Sequence, residues 1–216
     1  MNLSEARLAV ADCGHRMVAD GLVVGTSGNV SVRVGDLLAI TPTGVPYDRI
    51  GPGDIGIHRL DGTAVDAPLP PTSEMAMHLS VYGRTDARAV VHTHSVAATA
   101  VGTVVDVLPS VHYQVAMFGG PVRVAPYATY GTPELAANMA AALDGRTGCL
   151  LGNHGTITIG GTLPEAYARA LYLEWLCEVW LRARSVGVPR LLDDDEIDRV
   201  AAKLRHYGPD ARPDPE

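Results

Sequence analysis

The chain has 216 residues, of which 47% are hydrophobic, and this is enough for one compact domain with a sizeable core. The formal net charge of −7 argues against a nucleic-acid partner, which would need a basic face. The three cysteines form no C-x-x-C pair, so we expect a reducing, cytoplasmic location without disulfides. Neither a signal peptide nor a membrane-spanning apolar run is predicted.

The first part of the chain is predicted to be one helix followed by hairpin-joined strands. Apolar residues at helical spacing predict a helix over residues 3–20, ended by Gly21. A glycine-rich turn leads into a strand within GTSGNVSVRV (25–34), and DLLAI (36–40) predicts its hairpin partner. TPTGVPY (41–47) predicts a loop, and DIGIHRLDG (54–62) predicts a third strand and a turn.

In the middle of the chain, helices and strands alternate. PLPPTSEMAMHLSVYGR (68–84) predicts a loop entering a helix, with Thr72 or Ser73 as N-cap and Glu74 in the first turn. ARAVVHTH (87–94) predicts a buried strand, SVAATAVG (95–102) a short helix and PVRVAPY (121–127) another strand. TPELAANMAAAL (132–143) predicts a helix with Pro133 in its first turn.

The last part predicts a hairpin and two helices. GCLLGNHGTITIG (148–160) predicts two strands around a G-N-H-G turn, and residues 163–187 and 193–208 predict the longest and the final helix. The whole pattern predicts an α/β fold in a single domain over residues 1–210, with a mixed, mainly antiparallel central sheet covered by helices on both sides. Residues 211–216 are predicted to form a flexible tail.

Three histidines have the spacing and surroundings of metal ligands. His92 and His94 form H-x-H at the end of an apolar strand, where side chains two apart share a face and their Cα atoms lie roughly 6.5–7 Å apart. Two imidazoles at that spacing can converge on one ion, although a hydrogen-bonded histidine pair would have the same pattern. His154, between glycines in a tight turn, could supply a third nitrogen.

Glu74 and His78 leave alternatives open. Glu74 could be a fourth ligand, a general base, or an acid favoured only by the helix dipole. His78 shares its helix face four residues later, and we favour a packing role over a ligand role for it.

Two short loops, GTSGNVS (25–31) and TPTGVPY (41–47), and the hydroxyl pair Thr72–Ser73 offer backbone N–H groups and hydroxyls to an anion. The sequence has no Walker motif and no G-x-G-x-x-G motif, so a nucleotide is not indicated. A small anionic ligand is therefore expected beside the acid and the histidines.

These segments resemble the class II aldolase and epimerase (adducin-like) family, typified by L-fuculose-1-phosphate aldolase. The matching stretches run from about residue 20 to 155 and are GTSGNVSVR, ITPTGVPYDRI, PPTSEMAMH, DARAVVHTHSVAATA, SVHYQVAMFGG, VAPYATYGT and GNHG. The resemblance implies a homotetramer with active sites between subunits.

The resemblance also implies the roles of individual residues. One Zn²⁺ per subunit, or Mn²⁺ or Co²⁺ in its place, would be held by Glu74, His92, His94 and His154. The substrate phosphate would be bound by small, hydroxyl or amide residues, namely Gly28, Asn29, Thr43, Gly44, Thr72 and Ser73. Glu74 would also act as the catalytic base, Tyr113 of a neighbouring subunit as the second acid/base, and Tyr207 would close over the substrate.

The implied reaction is reversible cleavage of a ketose 1-phosphate, of the L-fuculose 1-phosphate type, through a zinc-stabilised enediolate. Its products would be dihydroxyacetone phosphate and a small aldehyde, L-lactaldehyde in the fuculose case. The single lysine, Lys203, lies outside every motif, which disfavours an imine-forming aldolase.

Other functions on the same scaffold stay open. They are an L-ribulose-5-phosphate 4-epimerase, an aldolase or dehydratase for 5-deoxy or methylthio pentulose phosphates, and a non-catalytic adducin-like scaffold. Product analysis separates the enzymes from one another, and the retained histidines argue against the scaffold.

Overall fold

The computed structural model describes residues 1–206. Its helices are α1 (Leu3–Ala19), α2 (Met75–Arg84), α3 (Val96–Gly102), α4 (Pro133–Leu143), α5 (Leu163–Val186) and α6 (Asp194–Leu204). Its strands are β1 (Asn29–Val34), β2 (Leu37–Ile40), β3 (Gly56–Arg59), β4 (Ala64–Asp66), β5 (Ala89–Thr93), β6 (Val107–Leu108), β7 (Val122–Ala125), β8 (Gly148–Leu151) and β9 (Gly155–Gly160). Two 3-10 helices lie at Pro52–Asp54 and Tyr113–Phe118.

The strands form one sheet in the order β4-β3-β2-β1-β5-β9-β8-β7-β6. Neighbouring strands run antiparallel except β7 and β8, which are parallel. The predicted mixed, mainly antiparallel sheet is thus confirmed. The hairpins join only neighbours in sequence, whereas the central position of β5 is a tertiary feature: it pairs with β1 on one side and with β9 on the other.

Side-chain alternation along the central strands divides the core between the two faces. Ala89 and Val91 of β5 pack with α1 and the start of α5, whereas Val90 between them packs with α2 and α4. Because both faces are covered, β5 is continuously apolar until its histidine, as a buried strand should be. A third cluster lies between α3, β8 and the second half of α5.

The predicted N-cap of α2 was wrong. The helix begins at Met75, and Glu74 occupies the N-cap position without making a side-chain capping bond. Thr72 instead opens a turn that is held by another loop: its backbone N–H donates to Thr41 O at 3.0 Å, its hydroxyl accepts from the Glu74 N–H at 3.2 Å, and its carbonyl accepts from the Met75 N–H at 3.2 Å. The helix therefore starts later, and the Glu74 side chain is free to turn inward.

Some predictions fall outside the described residues. Tyr207 and the tail at 211–216 are among them, and the domain limits 1–210 stay a prediction. The short strands β4 and β6 and the two 3-10 helices were not predicted. Over residues 1–206, we find no helix with the length and apolar character needed to cross a membrane.

Candidate metal centre and active-site cavity

Glu74, His92, His94 and His154 meet at one end of the central strands. Each offers one ligand atom, and these atoms all lie within 4.8 Å of one another. His92 Nε2 is 3.0 Å from Glu74 Oε2 and 2.9 Å from His94 Nε2, and His154 Nε2 is 3.2 Å from Glu74 Oε1. The structure thus brings together all four predicted ligands, although they come from three separate segments of the chain.

Two glycines allow this convergence. A Cβ atom on Gly28 would lie 2.7 Å from the carbonyl oxygen of His92, and one on Gly155 would lie 2.1 Å from that of Thr93. Both distances are too short for a side chain, so only glycine lets the flanking loops approach the H-T-H segment this closely. Close packing of the backbone therefore requires glycine at positions 28 and 155.

The hydrogen bond of His92 sets its tautomer. Its Nδ1 lies 2.7 Å from the carbonyl oxygen of Thr156, which can only accept, so Nδ1 carries the proton. Nε2 is therefore the nitrogen that faces the Glu74 carboxylate and His94, where a proton or a metal cation must lie between the three groups. A hydrogen bond from the other ring nitrogen to a backbone carbonyl is typical of a metal-ligating histidine.

The protonation states also suit a cation. Burial by itself raises the pKa of Glu74, but the neighbouring His92 and His154 outweigh it and hold that pKa well below its usual value. Burial, together with His92 and His154, lowers the pKa of His94 to about 3. At neutral pH the site therefore offers an ionised carboxylate and a neutral imidazole, the forms that bind metals.

The donor set fits a divalent metal ion. Glu74 Oε1 is buried and lies 3.2 Å from His154 Nε2 without a well-formed hydrogen bond, a position in which a shared cation would satisfy both atoms. Three imidazole nitrogens and one carboxylate oxygen are the donor types of tetrahedral zinc sites, and they also accommodate related divalent ions.

A cavity of about 350 Å³ opens above the cluster. All six predicted phosphate-binding residues line it, together with Glu74, His94 and His154. The six are Gly28, Asn29, Thr43, Gly44, Thr72 and Ser73. The cavity therefore joins a metal-binding cluster to a wall of hydroxyls and glycine-containing loops.

Asn29 is more enclosed than a simple phosphate ligand would be. Its Nδ2 donates to Glu74 Oε2 at 2.9 Å, and its Oδ1 lies 2.5 Å from His78 Nε2. His78 is fully buried and lies outside the metal-binding cluster. The amide of Asn29 thus connects Glu74 to His78, a contact that the sequence did not suggest.

Tyr113 is not brought to the cavity by its own chain. It begins the 3-10 helix Tyr113–Phe118, is 46% exposed, and stacks on His112 with ring centroids 4.4 Å apart. Among the residues 1–206 that line the cavity, Tyr113 is absent. Its proposed role therefore requires a second subunit.

Six further residues that line the cavity were not predicted individually as site residues. Thr26, Ser27 and Pro42 lie within the two predicted anion-binding loops, whereas Tyr127, Tyr130 and Asn153 lie outside them. The two tyrosines lie between β7 and α4. A Cβ atom on the adjacent Gly131 would lie 2.9 Å from Ser73 O, so this loop packs closely against the Thr72–Ser73 segment. Asn153 has a left-handed φ of 54°, which asparagine tolerates better than most residues. The G-N-H turn and the Y-A-T-Y segment were the available signals.

Comparisons with known proteins agree with this geometry. A family model described as Class II Aldolase and Adducin N-terminal domain matches residues 8–181. The chain is 37% identical to a 5-deoxy-D-ribulose 1-phosphate aldolase from Bacillus thuringiensis serovar kurstaki, with 96% of this chain and 99% of the relative covered. It is 39% identical to an L-fuculose phosphate aldolase from Escherichia coli, with 92% and 94% covered.

A solved structure of an L-fuculose 1-phosphate aldolase has the same fold. It matches with a TM-score of 0.90 at 36% identity, covering 93% of this chain and 96% of the other. The likeness extends over nearly the whole length of each protein, and members of this family depend on a metal ion, for which the carboxylate and three imidazoles offer the ligands. The chain therefore belongs to the class II aldolase family.

Proposed function

We propose that this protein is a metal-dependent aldolase that reversibly cleaves a ketose 1-phosphate to dihydroxyacetone phosphate and a small aldehyde. The observation that carries the proposal is the cluster of Glu74, His92, His94 and His154 at the floor of a cavity lined by hydroxyls and glycines. A phosphate and an adjacent carbonyl are the two features of such a substrate that these two parts of the cavity suit.

The four clustered residues would hold the metal ion. When bound, a divalent ion supplies Lewis acidity toward the substrate carbonyl and its neighbouring hydroxyl. Zinc suits the nitrogen-rich donor set best, and Mn²⁺ or Co²⁺ are the alternatives. The loops at Gly28–Asn29 and Thr43–Gly44 and the pair Thr72–Ser73 would bind the phosphate.

Glu74 and Tyr113 would move the protons. In condensation, the ionised Glu74 removes a proton from the hydroxymethyl carbon of dihydroxyacetone phosphate, and that carbon forms the new bond to the aldehyde carbon. Tyr113 of a neighbouring subunit donates a proton to the aldehyde oxygen, which becomes a hydroxyl. The sugar loses one proton from carbon and gains one on oxygen, and the two side chains are reset when Glu74 releases its proton to solvent and Tyr113 regains one from it. Cleavage reverses these steps.

Two substrates deserve direct comparison. An L-fuculose 1-phosphate substrate would release L-lactaldehyde, and a 5-deoxyribulose 1-phosphate substrate would release acetaldehyde. The names of the two relatives of similar identity support both. Tyr127 and Tyr130, with Tyr207 as the predicted closing residue, are the candidates for contacts with the aldehyde half.

Metal removal tests the proposal. We expect the protein treated with a chelator to lose more than about 100-fold of its ketose 1-phosphate cleavage and to regain it with Zn²⁺, Mn²⁺ or Co²⁺. Both substrates are assayed by coupled detection of dihydroxyacetone phosphate. Full activity without metal would overturn the proposal, formation of a 4-epimer or a dehydrated product would replace it by the epimerase or dehydratase, and a purified protein that binds no metal would favour the scaffold.

The remaining proposals concern the setting of the enzyme. The homotetramer with sites between subunits and the cytoplasmic location stay predictions. The exposed position of Tyr113, away from the cavity of its own chain, supports a shared site.

A further inference from the structure

Four buried polar residues extend from Glu74 into the space between β1 and α2. Asn29 Nδ2 donates to Glu74 Oε2, and Asn29 Oδ1 lies 2.5 Å from His78 Nε2. His78 Nδ1 lies 2.7 Å from Ser31 Oγ, which lies 2.7 Å from the hydroxyl of Tyr82. We call Asn29, His78, Ser31 and Tyr82 the polar relay.

The polar relay follows directly from the two periodicities. Asn29 and Ser31 are two apart on β1 and share one face of the sheet, whereas His78 and Tyr82 are four apart on α2 and share one face of the helix. Each residue of the relay is at most 4% exposed. The contact between the strand and the helix is therefore polar at its centre, although its surroundings are apolar.

Such an arrangement needs every polar atom to be paired. Burying a polar group without a partner is unfavourable, and apolar residues would fill the same space without that risk. Over residues 1–206, no buried side-chain nitrogen or oxygen of the relay is without a hydrogen-bond partner. The relay begins at Tyr82 and ends at the Glu74 carboxylate, so the hydrogen bonds within the relay influence the orientation of that carboxylate.

The hydrogen bonds of the polar relay can run in only one direction. The carboxylate of Glu74 can only accept, so the amide of Asn29 turns its Nδ2 toward it and its Oδ1 toward His78. His78 must then donate from Nε2. Burial lowers the pKa of His78 to about 3, so its ring is neutral and Nδ1 accepts from Ser31, which in turn accepts from Tyr82.

We propose that His78 is a positioning residue for Glu74, acting through the amide of Asn29. The Nε2–H of His78 locks the amide so that its N–H anchors Glu74 Oε2, which holds that oxygen 3.0 Å from His92 Nε2 and the other, Oε1, 3.2 Å from His154 Nε2. Without that donor, Asn29 can turn its oxygen toward the carboxylate, and Glu74 rotates away from the histidines. The inference rests on the proposed function, in which Glu74 is both a ligand and a base.

Replacements at His78 distinguish the effect of its hydrogen-bond donor from the effect of its side-chain volume. Gln is long enough to reach Asn29 Oδ1 with an N–H, Asn is polar but too short, and Met has the length without a donor. The matched control is His58→Met. His58 is a buried histidine on β3 that lies outside the site, and its Nδ1 lies 3.3 Å from the carbonyl oxygen of Gly62. Thermal unfolding checks that each variant is folded.

The first readout is the visible absorption spectrum of the Co²⁺-loaded protein, which reports the ligands around the ion. We expect His78→Met and His78→Asn to bind one Co²⁺ through the three histidines with an altered spectrum. Their kcat is expected to fall by about 10- to 100-fold, the usual effect of losing a residue that orients a metal ligand, while KM for the ketose 1-phosphate changes less than about threefold. His78→Gln should restore the wild-type spectrum and most of kcat, and His58→Met should leave both unchanged.

Each outcome has one meaning. If the spectrum and kcat of His78→Asn and His78→Met match those of wild type, the positioning role is wrong, while the metal-dependent aldolase stands. If wild-type protein takes up no Co²⁺, the proposed function itself fails. If His78→Met does not fold, the comparison of Asn with Gln decides, and equal defects in both would also overturn the inference.

Discussion

At the scale of single residues, hydrogen bonds outside the cluster fix the orientation of the side chains that face the ion. His92 uses Nδ1 on the Thr156 carbonyl, which leaves only Nε2 for an ion, and Glu74 has one anchored oxygen and one without a hydrogen bond. Both residues are thereby oriented before any ligand binds. A pre-oriented carboxylate is what a group that exchanges protons with a carbon atom requires.

Replacing Glu74 by Gln tests this residue alone. The three imidazoles remain, so we expect metal to bind with only modest loss, while cleavage and hydrogen exchange at the hydroxymethyl carbon of dihydroxyacetone phosphate fall by about 10²- to 10⁴-fold. Exchange is followed in heavy water by NMR. Glu134→Gln, an exposed acid in the first turn of α4, is the control. Unchanged exchange in the Glu74 variant would rule out the base assignment.

At the scale of secondary structure, α3 depends on α5 for its start. The N-cap residue Ser95 makes no side-chain capping bond, and instead Glu174 of α5 accepts from the N–H groups of Ala97 and Ala98, both at 2.8 Å. Because Ser95, the N-cap of α3, directly follows His94, this carboxylate also holds the end of the H-T-H segment. The metal-binding cluster is thus supported from a helix that supplies none of its ligands.

Glu174→Gln should show this support. The amide has one acceptor instead of two and places an NH₂ against a backbone donor, so we expect a loss of about 1–2 kcal/mol in the free energy of unfolding and a weaker metal site. Urea denaturation and chelator competition measure the two effects. Glu178→Gln, one turn later on the same helix and paired with Arg182 at the surface, should cost less than about 0.5 kcal/mol. Equal effects would refute the role of Glu174.

At the scale of the whole molecule, Tyr113, the second acid/base residue of the proposed reaction, is not among the residues of 1–206 that line the cavity of its own chain. Tyr113 is exposed on a 3-10 helix beside His112, with Trp175 of α5 also against His112. An exposed aromatic surface of this kind is common at contacts between subunits. A ring of identical subunits would place this surface of one chain over the cavity of the next.

Mixing two inactive variants tests a shared site. Glu74→Gln and Tyr113→Phe each disable one half of the site, but subunits that reassemble at random in equal amounts should form about a quarter of intact sites if the halves come from different chains. We expect activity to return toward that level after mixing, and sedimentation to give the size of the assembly. No recovery after verified subunit exchange, or a monomeric active protein, would refute the shared site.

The local patterns were sufficient for the six α-helices of residues 1–206 and the longer strands, the pairing of β8 with β9 and the convergence of His92 and His94, because strand and helix periodicities depend on nearest neighbours. Local patterns offered His154 and Glu74 only as candidates, and the resemblance chose His154 over His78 as the third nitrogen ligand. The start of α2 was mispredicted because Thr72 pairs with Thr41, which is far away along the chain. The same holds for the contact of Asn29 with His78 and for the approach of Tyr127 and Tyr130 to the cavity. Such contacts follow from the packing of α2 on β1 and from the place of β5 between β1 and β9, because the partners are separated by tens of residues and only the assembled sheet brings them within bonding distance.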